Sequence, residues 1–276
     1  MTDKTSSELH TLPRVPAEVI APSSPVSGFH FQYRPSPTGV DSNLLLLFHG
    51  LGDNERNFLQ LGERLQREVL PQTAVLSLRG PKGVPLLDEE AFTWWETFTE
   101  LAEILPSQNQ NPAALTRAAC GLLDHLIDKL GWLPRNIHLL GFGQGGTAAL
   151  ETCLTWSWQR QKSSSPTEPV LGSVVSIGGP LLSFPTFQPL LSTPVLFHHH
   201  KSFPSALSSL RRGFTRVTEM LSAANKAGQA AGGLEDAVMP SFAHDDWFQI
   251  AKWWANEAGW RNRSQLELRG ELVQVG

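Results

Sequence analysis

The stretch Ile137-His138-Leu139-Leu140-Gly141-Phe142-Gly143-Gln144-Gly145-Gly146 decides the fold. Ile137 to Leu140 is a short apolar run, entered from the amphipathic segment Ala113 to Leu130 and left through four glycines into Thr147 to Leu154, which continues with helical character. A buried strand that passes through a glycine-rich turn straight into a helix belongs to an α/β arrangement.

Working outward, the same grammar recurs. Leu44 to Phe48 is apolar at every position, stops at Gly50, and is followed by a helical pattern from Asn54 to Glu68. Ala74 to Leu78, Val170 to Ile177 and Pro194 to His198 are further apolar runs. Continuous rather than alternating apolar strands, separated by helices, predict a mostly parallel sheet covered by helices on both faces, an α/β fold. Phe29 to Tyr33 alternates instead, which marks a half-exposed edge strand, and Pro35 to Gly39 closes it with a turn. Residues 1–27 are rich in proline and serine and predict an extended or disordered lead-in, with a single domain over 28–276. Gln161 to Glu168 and Ala223 to Gly233 read as surface excursions of that domain.

Composition bounds the function. A chain of 276 residues with 41% hydrophobic content can bury a large core. Its 22 basic and 26 acidic residues give a net charge of −4, which argues against a nucleic-acid partner. Leu44 to Phe48, the longest apolar run, falls far short of the roughly 20 residues that cross a bilayer, so no stable membrane insertion is expected. Met1 to Ser7 lacks the apolar segment of a secretory signal, and Cys120 and Cys153 sit in apolar helix-like stretches as core thiols do. A cytoplasmic setting is expected.

The chemistry returns to the opening stretch. Gly141-Phe142-Gly143-Gln144-Gly145 has the glycine spacing of a nucleophile elbow, in which a tight turn lifts one side chain above the sheet. The pattern is G-x-S-x-G, and here the central position is Gly143, which carries no hydroxyl. Taken alone, the segment fits a packing turn equally well. Its counterpart is Phe48-His49-Gly50-Leu51-Gly52-Asp53, at the end of the first buried strand. There the amides of Leu51 and Gln144 would form an oxyanion hole.

With these two segments the chain resembles the acyl-protein thioesterase and phospholipase/carboxylesterase family of α/β-hydrolases, whose HGLGD and GFSQGG motifs match His49 to Asp53 and Gly141 to Gly146 except at the serine. Leu78-Arg79-Gly80-Pro81, Phe92-Thr93-Trp94-Trp95, Ser176-Ile177-Gly178-Gly179 and Phe242-Ala243-His244 are similar to further family segments. The resemblance implies an α/β-hydrolase fold and His244 at the position of the catalytic base. It further implies His49, Gly50, Trp94 and Trp95 around a pocket, and neither cofactor nor metal.

The family places its triad acid in P-V-L-x-x-H-G-x-x-D. Here Pro194-Val195-Leu196-Phe197-His198-His199-His200-Lys201-Ser202-Phe203 holds no carboxylate, and the next acid, Glu219, is expected on a helix. Two of three triad positions are lost. The leading expectation is a hydrolase-fold protein impaired in catalysis that keeps a cleft for an acyl or ester small molecule or an acylated protein, or serves in protein interaction. The alternative is an active ester or thioester hydrolase with a displaced nucleophile, and a substitution introduced at Gly143 is a third reading. Ser176 and Thr147 are the hydroxyls nearest by analogy. His198, His199 and His200 point to alternate faces of a strand, so at most two could meet one ion, and no metal site is expected. Asp245 and Asp246 suit a helix N-terminus better than a triad.

Overall fold

The computed structural model describes residues 28–39, 41–87, 90–163, 169–186, 188–200, 204–222 and 237–260. The lead-in expected over 1–27 and the excursion at Ala223 to Gly233 lie outside them. Leu44 to Phe48 forms the centre of β2 (Asn43–Phe48), every residue of which is buried. It pairs in parallel with β3 (Thr73–Leu78) on one side and β6 (Ile137–Phe142) on the other. β7 (Ser173–Ile177), β8 (Val195–His199) and β9 (Val217–Leu221) continue the sheet in parallel, and β1 (Phe31–Arg34) closes the far edge antiparallel to β3. The seven strands run in the order β1-β3-β2-β6-β7-β8-β9. The expected edge strand and parallel sheet are both present, and this is the α/β-hydrolase architecture.

Alternation along each strand divides the core. Leu44, Leu46 and Phe48 pack with Ala148, Leu150 and Leu123 under α2 (Ala113–Asp124) and α3 (Gln144–Lys162). Leu45 and Leu47 pack with Phe58 and Leu65 of α1 (Glu55–Glu68). On that same face α5 (Asp246–Glu257) sets Trp247, Ile250 and Trp254 over Val175, Ile177 and Leu196. Each such side chain contributes about 1.5–3 kcal/mol by leaving water. α1 starts where Asn54 Oδ1 accepts the Arg56 and Asn57 amides, and Arg79 at the end of β3 holds Glu55 through two hydrogen bonds of 2.8 and 2.6 Å.

Three elements differ from expectation. A two-stranded hairpin, β4 (Lys82–Gly83) with β5 (Phe92–Thr93), was not legible, because its strands are too short to carry a period. α3 runs to Lys162, so the polar stretch from Gln161 opens with the end of a helix. Glu219 is on strand β9, not on a helix: α4 (Pro204–Gly213) ends at Gly213, and Val217 to Leu221 then pairs residue by residue with Val195 to His199.

The crossing of β6 into α3 is the tightest point of the fold. A Cβ on Gly145 would lie 2.1 Å from the Phe48 carbonyl oxygen and 2.4 Å from that of His49. Neither backbone can retreat without breaking the β2–β6 ladder. Gly145→Ala is expected to cost about 3 kcal/mol or more, a fall in Tm on the order of 10 °C measured by thermal unfolding.

Two buried histidines set a pH dependence. His138 stacks on Trp260 at 3.9 Å between ring centres and pairs through Nδ1 with Ser173 Oγ, and burial pushes its pKa down to about 3. His198 is fully buried with no hydrogen-bond partner on either ring nitrogen among the described residues. Burial pushes its pKa down to about 4, opposed in part by the Asp246 carboxylate. Both folded values lie below the ordinary 6.5, so the unfolded chain binds more protons between them. The stability is therefore fully present above pH 6.5 and is lost as pH falls towards 4 and 3. Each histidine is expected to cost roughly 2 kcal/mol between pH 7.5 and pH 5 in urea unfolding, and His198→Leu should remove its share of that difference.

Candidate active site

Gly143 sits between β6 and α3 with φ 52° and ψ −118°, a conformation L side chains rarely adopt. Its amide donates to the Ile177 carbonyl at 2.8 Å, and its carbonyl accepts from Gly146 and Thr147. The neighbouring glycines are there for space: a Cβ on Gly141 would lie 2.0 Å from the Gly145 carbonyl oxygen, and one on Gly146 would lie 2.4 Å from Ser176 Oγ. Gly143 is different, since a Cβ there meets nothing within 4 Å. It is the glycine of this turn where a side chain has room.

The second loop lies against the first. Phe48 is in register with Gly141, and a Cβ on Gly50 would touch the Phe142 ring at 2.8 Å. The loop is zipped to β5 through Gly52 N–H to Phe92 O and Phe92 N–H to Asp53 O. No acceptor for the amides of Leu51 or Gln144 is found among the described residues.

A strut of side chains ties the two loops together. Gln144 Oε1 accepts from Thr93 Oγ1 at 2.9 Å and from the Trp94 amide at 3.0 Å, while its Nε2 donates to Thr97 Oγ1 at 2.6 Å. The Trp94 indole donates to the His49 carbonyl at 2.8 Å, and its ring stacks on the His49 imidazole at 4.8 Å. His49 Nε2 accepts the Gly80 amide, which leaves the proton on Nδ1, donated to Gly50 O at 2.7 Å. Burial lowers the His49 pKa and keeps this neutral form. The Trp95 indole donates to Gln110 Oε1. The side chains of His49, Trp94 and Trp95 thus form the buried footing of the loops, and the backbone at Gly50 lies against Phe142 beside the turn.

His244 is exposed in the loop before α5, and its ring has no hydrogen-bond partner among the described residues. The segment leading to it starts at Ala237, which packs on Gly178 beyond β7, and carries Phe242 to the Arg64 guanidinium of α1 at 3.8 Å. Its two ends lie beyond β7 and β9, and no described atom of His244 comes within 4 Å of a Cβ placed on Gly143. Asp246 accepts the Ser241 amide at 3.0 Å and Ser222 Oγ at 3.2 Å, which closes this loop at the start of α5. Glu219 is 3.0 Å from His199 Nε2. The segment matching the family's acid, Lys201 to Phe203, lies outside the described residues.

The other hydroxyls are engaged. Ser176 Oγ donates to Gly179 O at 2.6 Å and Thr147 Oγ1 to Pro180 O at 2.7 Å. A cavity of about 270 Å³ is lined by Pro180, Leu181, Leu182 and Ala206 together with Ser107, Gln108, Ser205 and Ser209, with no charged side chain in that lining among the described residues. Glu151, buried on α3, holds this wall by accepting the Leu182 and Ser183 amides at 2.8 and 2.7 Å. The roles of Glu151 and of the Gln144 carboxamide had no sequence signal, because α3 is buried almost all round and shows no polar stripe. No group of three metal-ligating side chains occurs among the described residues, and no helix among them is long and apolar enough to cross a membrane.

The sequence pattern described as Phospholipase/Carboxylesterase matches residues 35–204, from β2 through the elbow to the start of α4. Uncharacterized hydrolase UM10204 of Mycosarcoma maydis is 40% identical over 250 residues, covering 91% of this chain and 88% of that one. Among solved structures, esterase PE8 superposes with a TM-score of 0.57 at 17% identity over 83% of this chain and 99% of its own. The Bacillus cereus carboxylesterase does so with a TM-score of 0.54 at 16% identity over 83% and 94%. At those identities the two structures speak for the fold, while the sequence matches cover both loops of the site. On that footing the chain belongs to the phospholipase/carboxylesterase family of α/β-hydrolases.

Proposed function

We propose that this family member has lost serine hydrolase chemistry and keeps the site as a binding cleft for an acyl or lipid-like group, carried by a small molecule or an acylated protein. One observation carries the reading: the position with room for a nucleophile is Gly143. In a serine hydrolase, removing the nucleophile costs about 10⁶ in turnover. Among the described residues no carboxylate or hydroxyl is bonded to His244, which leaves it nothing to activate and nothing to orient it. A displaced nucleophile finds no support at Ser176 or Thr147, whose protons are committed to main-chain carbonyls. The cavity beside Pro180 offers Leu181, Leu182 and Ala206 to an apolar chain, with Ser107, Gln108, Ser205 and Ser209 on the rest of its lining.

The test is a fluorophosphonate probe, which labels activated serines, run beside p-nitrophenyl octanoate hydrolysis. The wild type is expected to remain unlabelled and to hydrolyse the ester at the buffer rate. Gly143→Ser restores the hydroxyl at a backbone cost of about 1–3 kcal/mol and without the acid, whose loss alone costs about 10⁴ in turnover. Weak activity is expected, rising when Ser202→Asp is added. Stoichiometric labelling of the wild type would overturn the proposal, and full activity in the single variant would show that another group already orients His244.

A further inference from the structure

Resting on the reading of a cleft for a lipid-like group, we propose that the cavity between the turn Ser107–Asn109, the loop after β7 and α4 holds an uncharged polyol head and the first carbons of its chain. The ligand is then a neutral lipid with free hydroxyls, not a plain acyl chain or a lipid with an anionic head. The cavity has two unlike walls. Leu181 and Leu182 make one side apolar, while Ser107, Gln108, Ser205 and Ser209 supply three hydroxyls and a carboxamide.

The polar wall has bonds to offer. None of these four side chains has a hydrogen-bond partner among the described residues. Within α4 the contrast is direct: Ser208, outside the lining, bonds back to the Pro204 carbonyl at 2.8 Å, the usual recourse of a helical serine, whereas Ser209 does not. Ser205 and Ser209 stand four residues apart on α4, which makes them neighbours on one face about 5–6 Å apart at Cβ. From that spacing both reach adjacent hydroxyls of one ligand. A chain without hydroxyls strips water from this wall and returns no hydrogen bond, which favours a ligand that replaces the lost bonds.

Charge excludes the other head groups. No charged side chain is in the lining among the described residues, and the carboxyl behind the apolar wall is that of Glu151, which accepts the Leu182 and Ser183 amides at 2.8 and 2.7 Å. Neither its ionised nor its neutral form attracts an anion. Arg212, further along α4, lies over the exposed Phe184 ring at 4.9 Å and is outside the lining. A phosphate placed in the cavity gives up its water with no cation to meet it. The volume, about 270 Å³, lies near the lower end of the roughly 300–1,000 Å³ range of small-molecule sites and suits a head group with a short length of chain.

The full-length protein is titrated by calorimetry at pH 7.5 with octyl glyceryl ether, methyl octyl ether and octyl phosphate, each below its micellar concentration. The three share a chain, differ in head group and contain no carboxylic ester. Octyl glyceryl ether is expected to bind about 10-fold or more tightly than either of the others. Ser205→Ala combined with Ser209→Ala is expected to bring the glyceryl ether down to the level of methyl octyl ether and to leave methyl octyl ether unchanged, and α4 keeps its shape because alanine is the best helix former. Methyl octyl ether or octyl phosphate binding as tightly as the glyceryl ether, a double variant that keeps the preference, or no binding of any of the three overturns the proposal. Failure of the nucleophile-free reading is seen separately, as fluorophosphonate labelling of the wild type.

Discussion

The contact on which this structure depends is backbone against backbone: the first turn of α3 pressed onto the last carbonyls of β2, with Gly145 in between. No side chain is compatible with the spacing there. Because β2 and β6 are in register up to Phe48 and Gly141, the loops that follow them must emerge side by side. The sheet does not merely support the site. It fixes the separation of the two segments that make it, and the turn at Gly143 inherits its unusual dihedral angles from that closeness.

A second layer of fixation is polar and independent of the sheet. Gln144 and Trp94 each reach across from one segment to the other, and the His49 imidazole is locked in one tautomer between Gly50 and Gly80. Burying so many polar groups is tolerated only because each finds a partner. The result is a pair of loops held together by side chains, with Gly143 at the turn between β6 and α3.

Much of this was legible in the sequence, for reasons that can be named. The continuous apolar runs at Leu44 to Phe48 and Ile137 to Leu140 reported strands buried on both faces, and the glycines from Gly141 to Gly146 reported the crossing into α3. The glycine spacing together with the His49 to Asp53 segment put Gly143 at the strand-to-helix turn, where it stands. Glu219 was misplaced because five residues of mixed character between a helix and an excursion give neither period clearly, and only the open edge of β8 selects the strand. The work of the Gln144 and Trp94 side chains was invisible, since it depends on a hairpin whose strands are two residues each. His49 and Trp94 read as pocket residues by family likeness, yet their polar atoms are spent beneath the loops.

Gly143 carries no hydroxyl, and the amides of Leu51 and Gln144 have no acceptor among the described residues. The most direct measurement is a high-resolution crystal structure of the wild-type protein, with the surroundings of Leu51 N and Gln144 N examined for a shared acceptor. The account predicts one water or anion about 3 Å from both nitrogens, above the Cα of Gly143. Either amide donating instead to a carbonyl of the protein itself would contradict it.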